Sequence, residues 1–206
     1  MTDTLLESTP LAIDEAAADR IFRTARTTSQ WSDAEVSDAR LEAAWDLAKL
    51  GPTAMNTLPL RWLVVRSPEA KQRLVAHMAD GNKPKVEAAP VSLVLAADPA
   101  FHEHLDELFP VYPGIREQLA PAAEQRGDMA RFNALIQAGY VIVALRAVGL
   151  AAGPMNGMDT AGIDAEFFGE SGWQSLMVVN VGEAEGEGSP YPRNPRLSFE
   201  QVAEVL

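Results

Sequence analysis

The stretch from Gly139 to Asp159, GYVIVALRAVGLAAGPMNGMD, constrains this chain more than any other. Its first half reads as a helix apolar nearly all round. Such a helix is normally buried, so the backbone that follows it is presented from the centre of the molecule. Gly149 suits the C′ position of a helix ending near Val148, because glycine takes the left-handed conformation without a Cβ penalty. In Gly153-Pro154-Met155-Asn156-Gly157, Pro154 fixes φ and lacks an N–H, while the glycines permit close approaches that side chains would block. A backbone of that kind can press flat against a planar ligand and aim free N–H groups at its edge. It can also be a plain helix-to-strand connector, and taken alone the segment favours that reading.

Around this centre the chain alternates helical and strand patterns. Residues 13–27 have helical spacing and end in a polar run before Trp31. Ser37 can cap a helix whose apolar positions Leu41, Ala44, Trp45 and Ala48 form one stripe, closed by Gly51-Pro52. Residues 61–66 are β-like, and Ser67-Pro68-Glu69 supplies cap, N1 proline and acidic first turn for a helix to Met78. Residues 90–97 and 173–181 are continuous apolar runs of strand length, which predicts central strands. Between residues 99 and 127 the pattern weakens, with Phe101, Phe109 and Tyr112 scattered among acids and prolines, and a lid or excursion is expected there. A glycine, glutamate and proline loop over 182–195 leads to Ser198-x-x-Gln201, a capping box for a short last helix. This order predicts a mobile leader at 1–12 and a single α+β domain over 13–206, with a mixed, mainly antiparallel sheet flanked by helices around a long central one.

With 206 residues, 47% of them hydrophobic and 22% charged, the chain can bury one sizeable core. Its formal net charge of −12 argues against binding nucleic acid or an anionic membrane, since both rest on basic patches. An anionic ligand would need arginines placed locally. The absence of cysteine excludes disulfides, thiolate nucleophiles and zinc–thiolate sites, so redox chemistry would have to come from a bound cofactor. His77, His102 and His104 are expected at the surface; the last two face different directions on a helix, and no metal site is expected. A hydrolase elbow, a Walker-type phosphate loop and a helical G-x-G-x-x-G are all missing. The N-terminus has acids where a secretory signal needs bases, and the most apolar segment, 135–152, carries Arg146, so a cytoplasmic protein is expected.

Five polar and small-residue clusters remain: Arg26-Thr27-Thr28, GPTAMN at 51–56, GNKPK at 81–85, AVGLAAGPMNGMD at 147–159 and PRNPRLSFEQV at 192–202. Arginines near both chain ends are the local cations that could hold a phosphate in an acidic protein. Together the clusters fit a phosphorylated, planar cofactor. In this order they resemble the FMN-dependent nitroreductase family, over nearly everything from residue 13 onward, and within it the malonic semialdehyde reductase branch.

The resemblance implies a homodimer with FMN in each of two clefts at the subunit interface. It assigns Arg26, Thr27 and Thr28 to phosphate and ribityl contacts, with Arg193 completing the phosphate site and Arg196 assisting. Pro52, Thr53, Ala54 and Asn56 would reach the flavin from the partner subunit, while Asn82 and Lys85 would meet its pyrimidine edge and ribityl chain. Pro154, Met155, Asn156 and Gly157 would lie along the isoalloxazine, with the N–H groups of Asn156 and Gly157 at the N5/O4 edge. Phe101, Phe109 and Tyr112 are expected on a mobile rim. No side chain is expected to be catalytic, because flavin N5 carries hydride from NADPH or NADH to the acceptor in ping-pong order. The branch implies reduction of malonic semialdehyde to 3-hydroxypropionate, in pyrimidine degradation. A general nitroaromatic or quinone reductase and a non-enzymatic flavin-binding protein are the other readings. The chain also departs from the common pattern: many relatives have Asn-x-Gln-Pro where it has Asn56-Thr57-Leu58-Pro59, and Lys-x-Arg where it has Tyr191-Pro192-Arg193.

Overall fold

A computed structural model describes residues 11–206, so most of the expected leader lies outside the described residues. Helix α1 (Glu15–Ala18) starts at Asp14, whose carboxylate accepts from the Ala17 N–H at 2.7 Å, and runs on as a π-helical turn, Asp19–Arg23. Helix α2 (Asp38–Ala48) begins at Ser37, whose hydroxyl accepts from the Arg40 N–H at 3.4 Å, and buries Leu41, Ala44 and Ala48 of the predicted stripe, with Trp45 half-buried against the core. After a 3-10 turn at Ala54–Asn56 come strand β1 (Leu60–Val65), helix α3 (Pro68–Ala76), helix α4 (Lys83–Ala88) and strand β2 (Val91–Ala97). The cap and N1 proline of α3 are the predicted Ser67 and Pro68. Short helices α5 (Leu105–Leu108) and α6 (Ile115–Leu119) precede the long helix α7 (Ala123–Ala147). Strand β3 (Ala151–Met155), helix α8 (Thr160–Phe167), strand β4 (Gln174–Gly182) and helix α9 (Phe199–Val202) complete the chain.

The sheet has the order β1-β2-β4-β3, with every neighbouring pair antiparallel. A parallel bridge between Thr27 and Ala152 extends it at the outer edge of β3. Both faces of the sheet are covered, which is why β2 and β4 read as continuous apolar runs rather than alternating ones. Along β2, Leu93, Leu95 and Ala97 face a core built with α2 and α7. Val94 and Ala96 face a second core with α3, α4 and α8, through Leu74, Val86 and Ile163.

Four expectations change. Residues 153–155 are not part of a turn: they are the end of β3, and Pro154 is tolerated because β3 is an edge strand whose ladder can spare an N–H. The segment 99–127 is not an excursion, since Phe101, Leu105 and Leu119 are buried in the larger core. Phe101 is fully buried and is therefore no rim residue; the longest continuously exposed run of the segment is 110–114, with Phe109 half-buried beside it and Tyr112 exposed within it. His102 is buried beside Phe101 rather than at the surface. Finally, α7 is not buried all round: Val141, Ala144 and Leu145 are covered, but Phe132, Leu135 and Tyr140 are exposed.

Helix α7 ends where its sequence predicted. Val148 is the C-cap and Gly149 follows with φ +79°, in the left-handed region that favours glycine. The chain then turns directly into β3, which places the 156–159 turn at the end of the sheet edge.

Candidate active site

The edge of β3 collects the charged clusters. The Thr28 N–H donates to the Ala152 carbonyl at 3.0 Å, so the Arg26-Thr27-Thr28 segment lies along the strand. This approach requires Gly153, because a Cβ there would overlap the Thr28 carbonyl oxygen. The C-terminal segment is tied to the same place from the other side. Arg26 Nη2 donates to the Tyr191 carbonyl at 2.6 Å, and Arg193 Nη2 donates to the Ala25 carbonyl at 2.9 Å. Arginines predicted from opposite ends of the sequence thus become reciprocal neighbours.

Two cavities share this wall. One, of about 530 Å³, is lined by Arg26, Thr27, Thr28, Lys85, Pro154, Met155, Arg193 and Arg196. The other, of about 740 Å³, lies against Arg20, Arg23 and the 184–187 loop, and has Arg26, Arg146 and Arg193 in common with the first. Arg146 is a cavity residue that sequence reasoning missed. It was read only as a charge that spoils an apolar helix, yet the last turn of α7 delivers it to both cavities. Its Nη1 donates to the Ile21 carbonyl at 3.1 Å, and its Nε is buried with no partner. Burial, and then the neighbouring Arg193, lower its pKa from the usual arginine value. An arginine with a buried, unpartnered N–H and a cationic neighbour is a poor arrangement unless an anion joins it. Arg196 donates to the Asn194 and Pro195 carbonyls at 2.9 and 3.1 Å, within its own segment.

Directly after Pro154 and Met155, which line the smaller cavity, the 156–159 turn is clamped by its neighbours. Both the Ala79 N–H and Asn82 Nδ2 donate to the Gly157 carbonyl, at 3.0 and 3.1 Å, and the Asp159 N–H donates to the His77 carbonyl at 2.7 Å. Asn82 in turn accepts from Lys85 Nζ at 3.2 Å. Among the described residues no partner accepts from the N–H of Asn156 or of Gly157. The turn therefore has one carbonyl pinned twice and two N–H groups to offer. A fully buried Asn180 on β4 holds the base of this arrangement: its Nδ2 donates to the Lys85 carbonyl at 2.8 Å, and its Oδ1 accepts from Ser92 at 2.7 Å.

Pro52, Thr53, Ala54 and Asn56 are not brought to either cavity. They form a separate turn, in which Met55, Asn56 and Leu58 have φ of 52°, 52° and 38°. Each of these side chains in the left-handed region costs on the order of 1 kcal/mol. Asn56 Nδ2 donates to the Leu108 carbonyl at 2.8 Å, which ties this turn to the Phe109–Tyr112 rim. Among the described residues no group of histidines or carboxylates could hold a metal ion, and no helix is long and apolar enough to cross a membrane.

A family model described as the nitroreductase family matches residues 22–183. A Streptomyces coelicolor protein provisionally named an NADH dehydrogenase/NAD(P)H nitroreductase is 49% identical over 196 residues, which is 95% of this chain and 99% of that protein. A nitroreductase-fold protein from Exiguobacterium sibiricum, solved in complex with FMN, superposes with a TM-score of 0.77 at 21% identity, over 97% of this chain and 100% of that one. A Staphylococcus epidermidis protein provisionally named an NAD(P)H:FMN oxidoreductase gives a TM-score of 0.79 at 16% identity, over 96% and 99% of the two chains.

Proposed function

This chain belongs to the nitroreductase family, and from that premise we propose that it is an FMN-dependent NAD(P)H oxidoreductase. One observation carries the reading: Arg26, Arg146 and Arg193 line a cavity together with Pro154 and Met155, and the chain continues from Met155 into a turn with two unpartnered N–H groups. The donor set suits that cofactor. A phosphate dianion needs cations and N–H donors, which the arginines supply in a protein otherwise strongly acidic. An isoalloxazine needs a flat apolar floor with donors at one edge, which Pro154, Met155 and the Asn156 and Gly157 N–H groups can supply. FMN bound there supplies the capacity to take hydride from NADPH or NADH and to pass it to an acceptor. The protein's share is positioning. Asn82 and Ala79 fix the peptide plane of Gly157, Asn180 fixes the backbone under Lys85, and the turn's N–H groups stabilise negative charge facing them.

The reading includes a homodimer. Leu47 in α2 and Leu50 just after it, Phe132, Leu135 and Tyr140 on α7, and Leu197, Phe199 and Val202 near the C-terminus are exposed apolar side chains. Exposed apolar side chains in this number fit burial against a second copy. In such a dimer the 52–56 turn would serve the partner's cavity, which accounts for its separation from the cavities of its own chain. Phe109 and Tyr112 would form the rim.

Malonic semialdehyde, reduced to 3-hydroxypropionate with NADPH as donor, is the proposed substrate, and it rests on the five sequence clusters. Steady-state assays with this aldehyde and with a nitroaromatic test it. Turnover of the aldehyde at the higher kcat/KM supports the assignment; turnover of the nitroaromatic alone leaves a general nitro or quinone reductase.

A further inference from the structure

We infer that one stripe of the central helix, Asn133, Gln137 and Tyr140, is a template that holds the 51–60 segment in its left-handed conformation, and that these are positioning residues for the flavin site. The inference rests on the reading of the 52–56 turn as a flavin contact. The three residues fall at i, i+4 and i+7 of α7, so they share one face. Each grips the same segment. Asn133 Oδ1 accepts from the Ala54 N–H at 2.7 Å, and Gln137 Oε1 accepts from the Leu60 N–H at 3.0 Å. Tyr140 lies flat against Gly51, where a Cβ would come within 2.7 Å of its ring.

Asn133 is itself fixed, while Gln137 keeps one bond, through Oε1, and its buried Nε2 has no partner among the described residues. Asn133 and Gln137 are buried, and Asn133 Nδ2 donates to the Met129 carbonyl at 2.8 Å, which sets its amide so that the oxygen faces Ala54. The opposite side of the segment is closed by Arg61, which donates to the Leu58 and Leu60 carbonyls at 3.0 Å each, and by Thr53, whose hydroxyl accepts from the Leu58 N–H at 3.2 Å. Met55, Asn56 and Leu58 lie between these anchors, and they are the non-glycine residues with positive φ among those described. Buried amides on a core helix are costly unless their bonds are needed. Here both oxygens are spent on backbone N–H groups that bracket the strained residues, and neither bond belongs to a helix or a sheet ladder. Removal of one should let the turn relax toward ordinary φ, away from its ligand-facing shape.

The experiment compares FMN affinity, by fluorescence titration, with thermal stability for wild type, Asn133→Leu, Gln137→Met and Val141→Ala. Val141 is a buried residue of the same helix that makes none of these bonds. Asn133→Leu and Gln137→Met should each raise the FMN Kd by about ten-fold or more, and Val141→Ala should leave it within about two-fold for a similar loss of Tm. Asn133→Asp adds a pH signature: affinity relative to wild type should recover as the pH falls, since only the protonated carboxyl can donate to the Met129 carbonyl while its other oxygen accepts from the Ala54 N–H. Equal Kd changes for all variants at matched Tm, or no recovery by Asn133→Asp, would overturn the template. Should Asn133→Leu not fold, Gln137→Met against Val141→Ala decides the same point. A wild-type protein that does not bind FMN would overturn the cofactor reading, a result distinct from a wild type that binds and variants that bind equally well.

Discussion

At the scale of single residues, the molecule places its cations where the acidic background would otherwise repel an anion. Arg193 reaches across to the Ala25 carbonyl and, after burial, is the second cause that lowers the pKa of Arg146, whereas Arg116 pairs with Asp106 at 3.1 Å on the exposed side of α6. Arg193→Ala should therefore weaken FMN retention through gel filtration by about ten-fold or more, a loss of roughly 1.4 kcal/mol, while Arg116→Ala should not change it measurably. Equal retention would remove Arg193 from the phosphate site. His102 gives a prediction of a different kind. Burial, with Arg126 next in effect, lowers its pKa from the usual histidine value, so the unfolded chain takes up the proton more readily than the folded one. Its contribution to stability is thus complete above a pH of about 6.5 and declines as the pH drops from there toward the folded value. Denaturant titrations should show a shallower acid-side loss for His102→Asn than for wild type. An identical slope would show that the buried imidazole is not responsible.

At the scale of elements, the helix starts and the central strands were legible because their signals are local. Ser37 and Ser67 accept the bonds expected of N-caps, Ser198 and Gln201 form the expected capping box, and β2 and β4 are the expected apolar runs. Strand β3 was not legible. AAGPM contains no β-branched residue and includes a proline, so nothing in it signals a strand; its pairing comes from β4 on one side and Thr27 on the other. The same tertiary effect hid the role of 99–127, where scattered apolar residues proved to be core because a 3-10 turn at Phe101–His104 directs Phe101 inward. Within the candidate site, the clusters carried by charge and glycine could be found in sequence. Arg146, Asn133, Gln137 and Asn180 could not, because a lone polar residue in an apolar run gives no sign of which backbone it serves. Helix α7 also carries a prediction of its own. Its exposed Phe132 is proposed to face a second copy, so Phe132→Glu should shift the protein from dimer to monomer in sedimentation or light scattering. An unchanged mass would place the interface elsewhere.

At the scale of the whole molecule, the fold suits the proposed site, in which the cofactor rather than a side chain would carry the chemistry. Two cores cover the sheet, its β3 edge gathers the 26–28 and 191–193 segments, and the long helix reaches from the arginine wall at its C-terminal end to the strained 51–60 segment along its middle. Flavin chemistry needs no more of the protein than orientation, electrostatics and access. The central claim is tested most directly by anaerobic reduction of the purified protein. It should be yellow, and addition of NADPH or NADH without oxygen should bleach its visible flavin band, with the colour returning when an acceptor is added. A protein that binds FMN but never bleaches, or one that cannot be reconstituted with FMN at all, would contradict it.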